Sequence, residues 1–129
     1  MEGKPAKTLF ERLGGYEVIA AIIDDLYARM EADPSLQRFR KGRTPESLSR
    51  ERLLFVDQIC ALSGGPCLYT GRDMKTAHAG MGITGSEWGQ TMGYTAAALD
   101  KLKIPAKEKA EFLAIFERFR NEIIEENRR

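Results

Sequence analysis

The stretch VIAAIIDDLYARM, residues 18–30, decides the fold class of this chain. Its apolar side chains recur at steps of one, three and one, which is the spacing of a helix with one broad apolar face. Tyr27 shares that face with the aliphatic side chains. Since no alternating strand pattern occurs elsewhere in the sequence, we predict an all-α protein in which this helix packs against others.

Recognisable starts and stops divide the rest of the chain into further helices. Capping boxes at Thr8–Glu11 and Thr84–Glu87 each begin a helix. Thr44–Glu46 supplies an N-cap, a proline and an early acid for another. The double glycines in Gly14–Gly15 and Gly64–Pro66 end two of these helices, because glycine adopts the left-handed backbone that closes a helix.

Apolar stripes place the remaining helices. They predict a helix over Leu48–Leu62, a short one over Met74–Ala79, one over Trp88–Leu102 and a last long one over Phe112–Ile123. Phe39 falls in a short irregular piece between the helices.

The composition predicts one compact domain without a nucleic-acid or membrane partner. The 129 residues are 43% hydrophobic and 30% charged, which suits a single core. The 20 Lys and Arg against 19 Asp and Glu give no excess charge that would steer the chain to nucleic acid or an anionic membrane. We expect a flexible segment over residues 1–7, a domain over 8–124 and a polar tail over 125–129. A cytoplasmic protein is expected, because neither a signal peptide nor a membrane span is recognisable.

Two cysteines, Cys60 and Cys67, flank the second double glycine. They are close enough in sequence to pair, but disulfides are rare in a reducing compartment. We therefore predict two ordinary thiols.

The single histidine, His78, limits the chemistry that the chain can support. A zinc site of the usual three or four nitrogen and sulfur ligands cannot be assembled around it, and no nucleotide-binding or hydrolase motif occurs. Since His78 lies on a helix too short to be stable alone, another group must hold that segment. Haem is one candidate, because imidazole is a common axial ligand of its iron. A hydrogen-bonded surface histidine without a role is the alternative.

The motifs keep a characteristic order from Thr8 to Ile124. The landmarks are LFERLGG at 9–15, DDLYAR at 24–29, GGP at 64–66, YTG at 69–71 and MKTAH at 74–78, followed by Gly80 and Ile83-Thr84. Two double-glycine stops with a tyrosine and a histidine in register resemble the truncated globins, the small globins built as two helices over two. The pattern is most similar to the first group of that family.

The resemblance implies an all-α truncated globin fold, a two-over-two helical sandwich around haem b (iron protoporphyrin IX). It makes His78 the proximal ligand of the iron and Tyr27 the distal residue whose hydroxyl donates a hydrogen bond to the bound gas. Such a donor in a dry pocket would favour dioxygen by about 1–3 kcal/mol, because bound dioxygen gains negative charge. Without a second histidine, bis-histidyl coordination within one chain is excluded.

The distal helix departs from the family pattern. Many truncated globins carry a glutamine there that assists the tyrosine, and counting back from Gly64 puts Phe55 at that position. Gln58, one turn later, and Glu51, at the entrance, are the alternatives for a polar residue at the pocket, and surface roles for both remain open.

Other residues are expected to line the haem cavity by resemblance. Phe39 stands where the family has paired phenylalanines and is the candidate for stacking on the porphyrin. Trp88 takes the place of a bulky aromatic residue. Met74, Ile59 and Ile83 are further apolar walls, with ordinary core packing as the alternative for each.

Reversible binding of dioxygen, nitric oxide and carbon monoxide is the function that the resemblance implies, in oxygen transport or storage. Oxidation of nitric oxide to nitrate by the oxygenated form, with a reductase to restore ferrous iron, is an alternative, and peroxidase-like side activity is another enzymatic one. A haem-free globin-like interaction module is the third. A monomer or a weak homodimer is expected.

Overall fold

The computed structural model describes residues 7–125, which contain helices and loops and no strand. The all-α prediction is therefore confirmed. None of the helices in this range is long and apolar enough to cross a membrane. In chain order they are α1 (Leu9–Leu13), α2 (Tyr16–Glu31), a 3₁₀ helix (Pro34–Phe39), α3 (Pro45–Leu62), α4 (Met74–His78), α5 (Gly85–Lys101), α6 (Ala106–Glu117) and α7 (Arg120–Ile123).

The predicted helix starts are the observed ones. Thr8, Thr44 and Thr84 each stand before a helix and accept a hydrogen bond from the backbone nitrogen three residues on. Because that nitrogen has no partner within the first turn, the threonines fix where α1, α3 and α5 begin. After α1, Gly14 adopts the left-handed backbone with φ +111°, which turns the chain into α2.

The core lies between four helices, α2, α3, α5 and α6. α2 packs against α3 and α5, and α5 packs in turn against α6. Burying one aliphatic side chain in such a core contributes about 1.5–3 kcal/mol. Each of the four helices supplies side chains with no solvent exposure: Ile19, Ile22, Ile23 and Leu26 of α2, Val56 and Cys60 of α3, Thr95, Ala98 and Leu99 of α5, and Phe112 of α6.

The last predicted helix is interrupted. The stripe over Phe112–Ile123 predicted one long helix, but α6 and α7 are separate helices. Phe119 lies between them with φ −103° and ψ 1°, outside the helical region. The bend brings α7 against α4.

Phe39 was predicted to lie in irregular chain, but it is the last residue of the 3₁₀ helix. Asp33 caps this helix by accepting a hydrogen bond from the backbone nitrogen of Ser35 at 2.9 Å. A proline at the first position suits a helix start as well, because its missing N–H needs no partner there.

The cysteines form a disulfide, so the prediction of free thiols is wrong. Cys60 is fully buried at the end of α3. The chain turns back at Gly64, with φ +94°, and brings the Cα atoms of Cys60 and Cys67 to 5.8 Å, a separation that a disulfide requires. A Cβ atom on Gly65 would lie 2.7 Å from the Sγ of Cys60, so the turn needs glycine there too.

The chain ends were predicted to be a flexible segment over 1–7 and a polar tail over 125–129. Residues 1–6 and 126–129 lie outside the described part of the chain. Glu125, the first residue of the predicted tail, is held in place, because its backbone nitrogen donates to the carbonyl of Ile83 at 2.9 Å.

Candidate functional site

His78 ends α4 with one ring nitrogen engaged and the other free. Its Nδ1 lies 2.9 Å from the backbone carbonyl oxygen of Met74, one turn earlier. Since a carbonyl only accepts, Nδ1 carries the proton and donates it. The lone pair of the imidazole is then on Nε2, which has no hydrogen-bond partner within residues 7–125. A histidine whose Nδ1 donates to a carbonyl is oriented as metal-binding histidines usually are.

The helix under His78 is short but capped. Asp73 accepts a hydrogen bond from the backbone nitrogen of Thr76 at 3.1 Å, which satisfies one donor of the first turn. None of the five residues of α4 is buried. The Asp73 cap therefore favours the start of α4, and the helix is held by packing against α7 rather than by residues buried in the core.

Tyr27 lies on α2 with its ring against that of Phe55, at 5.9 Å between ring centroids. Burial raises the pKa of Tyr27 to about 12, although the positive charges of Arg43, Arg52 and Arg40 act in the opposite direction. The phenol is therefore protonated at neutral pH. Its hydroxyl has no hydrogen-bond partner among the described residues, so it is a donor available to a ligand.

The three residues considered for the position beside Tyr27 have different surroundings. Phe55 fills it, with its ring also 5.7 Å from that of Phe116. Glu51 forms an ion pair with Arg43 near the start of α3. Gln58 is half-buried, and its side chain makes no hydrogen bond within residues 7–125. The side chain seen against the Tyr27 ring is therefore aromatic.

The predicted cavity walls separate into two groups. Ile59 and Trp88 belong to the buried core, 3% and 8% exposed. Met74, Ile83 and Phe39 are half-buried. The guanidinium of Arg38 covers one face of the Phe39 ring, 4.0 Å from the ring centroid.

Two charged residues next to the His78 segment were not predicted from the sequence. Arg38 donates to the backbone carbonyls of Met81 and Gly82. Glu125 accepts from backbone nitrogens of the same loop. The two glycines at 80 and 82 could have indicated such partners. A loop with two flexible glycines leaves backbone N–H and C=O groups that need hydrogen-bond partners from elsewhere in the chain.

Residues 8–125 match the family described as bacterial-like globin, so the class of this protein is the globins. The chain is similar to the group 1 truncated hemoglobin GlbN of Mycolicibacterium paratuberculosis, with 33% identity over 112 residues, 87% of this chain and 79% of that protein. It is also similar to a group 1 truncated hemoglobin of Tetrahymena thermophila, with 27% identity over 117 residues, 91% of this chain and 94% of that protein.

Solved structures share the fold. The truncated hemoglobin from Tetrahymena pyriformis in its Fe(III) form superposes with a TM-score of 0.83 at 25% identity, covering 92% of this chain and 98% of that one. The hemoglobin of Chloroflexus aurantiacus gives 0.79 at 25% identity, covering 95% and 100%. The protein belongs to the bacterial-like globin family, among the group 1 truncated haemoglobins. The predicted family and fold class are confirmed, and membership supports haem-based gas binding.

Proposed function

We propose that this chain holds haem b through Nε2 of His78 and reversibly binds dioxygen and other diatomic gases beside Tyr27. The observation that carries the proposal is the hydrogen bond from Nδ1 of His78 to the Met74 carbonyl, because it leaves Nε2 free and oriented as a ligand. Haem, when bound, would supply an iron atom that can bind a diatomic gas.

Two groups of the chain support this proposal. The first is the imidazole of His78, because the hydrogen bond to the Met74 carbonyl keeps the proton on Nδ1 and leaves the lone pair of Nε2 for a metal. The second is the hydroxyl of Tyr27, which stays protonated and has no hydrogen-bond partner within residues 7–125. A half-buried donor without a partner is the group that a polar ligand requires.

The role of Tyr27 is to donate a hydrogen bond to the bound gas. Phe55 beside it presents an aromatic ring and no donor or acceptor. We therefore propose that the preference for dioxygen over carbon monoxide depends on the single hydroxyl of Tyr27. Dioxygen gains more negative charge on binding than carbon monoxide does, so a donor stabilises it more.

The experiment uses the full chain reconstituted with hemin and reduced, with Tyr27→Phe as the variant. We expect the dioxygen dissociation rate to rise about 10–150-fold, as for the loss of a hydrogen bond of about 1.5–3 kcal/mol to a charged group. The carbon monoxide rate should change much less. Tyr94→Phe is the matched control, because the hydroxyl of Tyr94 is engaged with Asp33. Equal dioxygen rates in wild type and Tyr27→Phe would contradict the role of Tyr27.

Two experiments distinguish this proposal from the alternative functions considered from the sequence. Mixing the oxygenated protein with nitric oxide in stopped flow tests oxidation to nitrate, and formation of the ferric protein no faster than in a buffer control excludes it. Failure of the chain to take up hemin, seen as no Soret band beyond that of free hemin, would instead favour the haem-free interaction module. The proposal also includes a reductase that restores ferrous iron and a chain that is a monomer or a weak homodimer.

A further inference from the structure

The segment from residue 79 to residue 84, here called the exit loop, leads the chain from α4 to α5. It contains Gly80 and Gly82 in the left-handed backbone region, with φ +83° and +63°. α4 is a single turn without a buried residue. The Met74 carbonyl orients the ring within α4, and α7 packs against this helix. The direction of α4 and its ring relative to α5 still depends on how the exit loop is held, because a single turn followed by flexible glycines has little stability alone.

Arg38, on the 3₁₀ helix, holds the exit loop by its carbonyls. Its Nη1 donates to the Met81 oxygen at 2.9 Å, and its Nη2 donates to the Gly82 oxygen at 3.1 Å. The same guanidinium donates to both carboxylate oxygens of Glu87 on α5, at 3.1 and 2.7 Å. Its planar fork thus joins the loop to a helix of the core, an arrangement that lysine cannot reproduce.

Glu125, at the other end of the chain, holds the same loop by its amides. Its carboxylate accepts from the backbone nitrogen of Gly80 at 2.9 Å and from that of Gly82 at 2.7 Å. Its own backbone nitrogen donates to the carbonyl of Ile83 at 2.9 Å. A cation therefore meets two carbonyls of the loop and an anion meets two of its amides. Both charges act on the Met81–Gly82 peptide, whose carbonyl accepts from Arg38 and whose amide donates to Glu125, so they favour the same orientation of that peptide.

We propose that Arg38 and Glu125 are positioning residues that fix the exit loop from two sides and thereby set the direction in which His78 presents Nε2. The inference rests on the proposed function, in which Nε2 binds the haem iron. Both residues bond to backbone groups of residues 80–83. Their effect passes through the backbone of residues 79–84, which follows His78 directly.

The first measurement is the resonance Raman band of the Fe(II)–histidine stretch in the reduced, haem-loaded full chain. We expect Arg38→Gln and Glu125→Gln to shift and broaden this band, because the imidazole then samples several orientations. Arg52→Gln is the matched control for the first, since Arg52 pairs with Asp24 between α3 and α2. Glu117→Gln is the control for the second, because it removes the same charge from an exposed position on α6. Both controls should keep the wild-type band.

The second measurement is hydrogen exchange at the backbone amides of Gly80 and Gly82, which needs no haem signal. Loss of a hydrogen bond to a charged group is worth about 1.5–3 kcal/mol, so Glu125→Gln should speed exchange at these two amides about tenfold or more. Arg38→Lys keeps the charge without the fork, and we expect its Raman band to lie between those of wild type and Arg38→Gln. This milder variant keeps the test valid if Arg38→Gln does not fold.

The outcomes separate the inference from the proposed function. A shifted band and faster exchange in Glu125→Gln, a shifted band in Arg38→Gln, and unchanged controls support the positioning roles. A wild-type Fe(II)–histidine band that neither variant alters overturns them and leaves His78 as the ligand. Absence of that band in the haem-loaded wild type overturns both, because no ligand is then being positioned.

Discussion

α2 and α4 carry the two principal site residues, yet they are held in opposite ways. α2 buries four side chains completely, so Tyr27 stands on a helix that the core fixes. α4 buries none of its five residues, and His78 depends on a carbonyl of its own helix and on the charged partners of the following loop. The free energy of folding and the geometry of the proposed ligand therefore come from different parts of the molecule.

This separation makes a clear prediction for mutations. Changes in the core should lower stability and leave the environment of His78 intact in the molecules that stay folded. Changes around α4 should alter that environment with little effect on global stability. The next three predictions test where the stability comes from, from the largest expected effect to the smallest, and the last measurement tests the environment of His78.

Leu99→Ala should cause the largest loss of stability. Leu99 is fully buried on α5, and replacing a buried leucine with alanine costs about 2–5 kcal/mol through lost contacts and the cavity left behind. Urea unfolding of the haem-free protein measures it. Leu102→Ala is the matched control, because Leu102 is 37% exposed near the end of the same helix. A loss in Leu99→Ala no greater than in Leu102→Ala would contradict the account of the core.

Cys67→Ser should have the next largest effect on stability. The disulfide closes a loop with a sequence separation of seven residues between the core and the segment that leads to α4. Constraint of the unfolded chain by a loop of this length is worth roughly 2.5 kcal/mol. Urea unfolding of wild type with and without a reductant, compared with Cys67→Ser, measures it. If the reductant lowers the stability of Cys67→Ser as much as that of wild type, its effect does not come from this disulfide.

Asp33→Asn should have the smallest effect, and one that depends on pH. The hydrogen bond from Tyr94, with further ones from Ser35, lowers the pKa of Asp33 below its ordinary value. The unfolded chain therefore takes up this proton first, near pH 4, at about the ordinary pKa of aspartate. The stabilisation is complete above that pH and is lost as the pH falls through the folded pKa.

Thermal melts of wild type and Asp33→Asn between neutral and acidic pH check this sign. The difference in Tm should be largest at neutral pH and shrink on acidification. Tyr94→Phe keeps the carboxylate but removes its main donor, so the pKa of Asp33 in the folded protein moves back toward its ordinary value. Its loss of stability should begin at the same pH as in wild type, but be smaller and complete at a higher pH. A Tm difference that stays constant over the whole range would contradict the role of the charge.

The sequence predicted those parts of the fold that local rules determine. The threonine caps at Thr8, Thr44 and Thr84 and the apolar stripe of α2 act over three or four residues, so they are readable without a structure. The helix under His78 was readable for the same reason. The interruption at Phe119 was not, because the stripe continues across it and only packing of α7 against α4 distinguishes two helices from one.

The missed features of the site depend on contacts that are remote in sequence. Arg38 and Glu125 reach the exit loop across 43 to 45 residues, and no motif connects them to it. The disulfide was missed because free thiols were expected in a reducing compartment, whereas the turn at Gly64 that brings Cys60 and Cys67 together is visible only in the folded chain. Spacing placed Phe55 on the distal helix, but its contact with Tyr27 depends on how α2 and α3 pack.

The most direct test of the central claim is the optical spectrum of the reduced, haem-loaded protein before and after addition of carbon monoxide, in wild type and His78→Ala. We predict a histidine-ligated ferrous haem that binds carbon monoxide in wild type, and loss of that signature in His78→Ala with an unchanged melting curve of the haem-free protein. External imidazole should restore it. A histidine-ligated spectrum that persists in His78→Ala, or a wild-type chain that takes up no haem, would contradict the account.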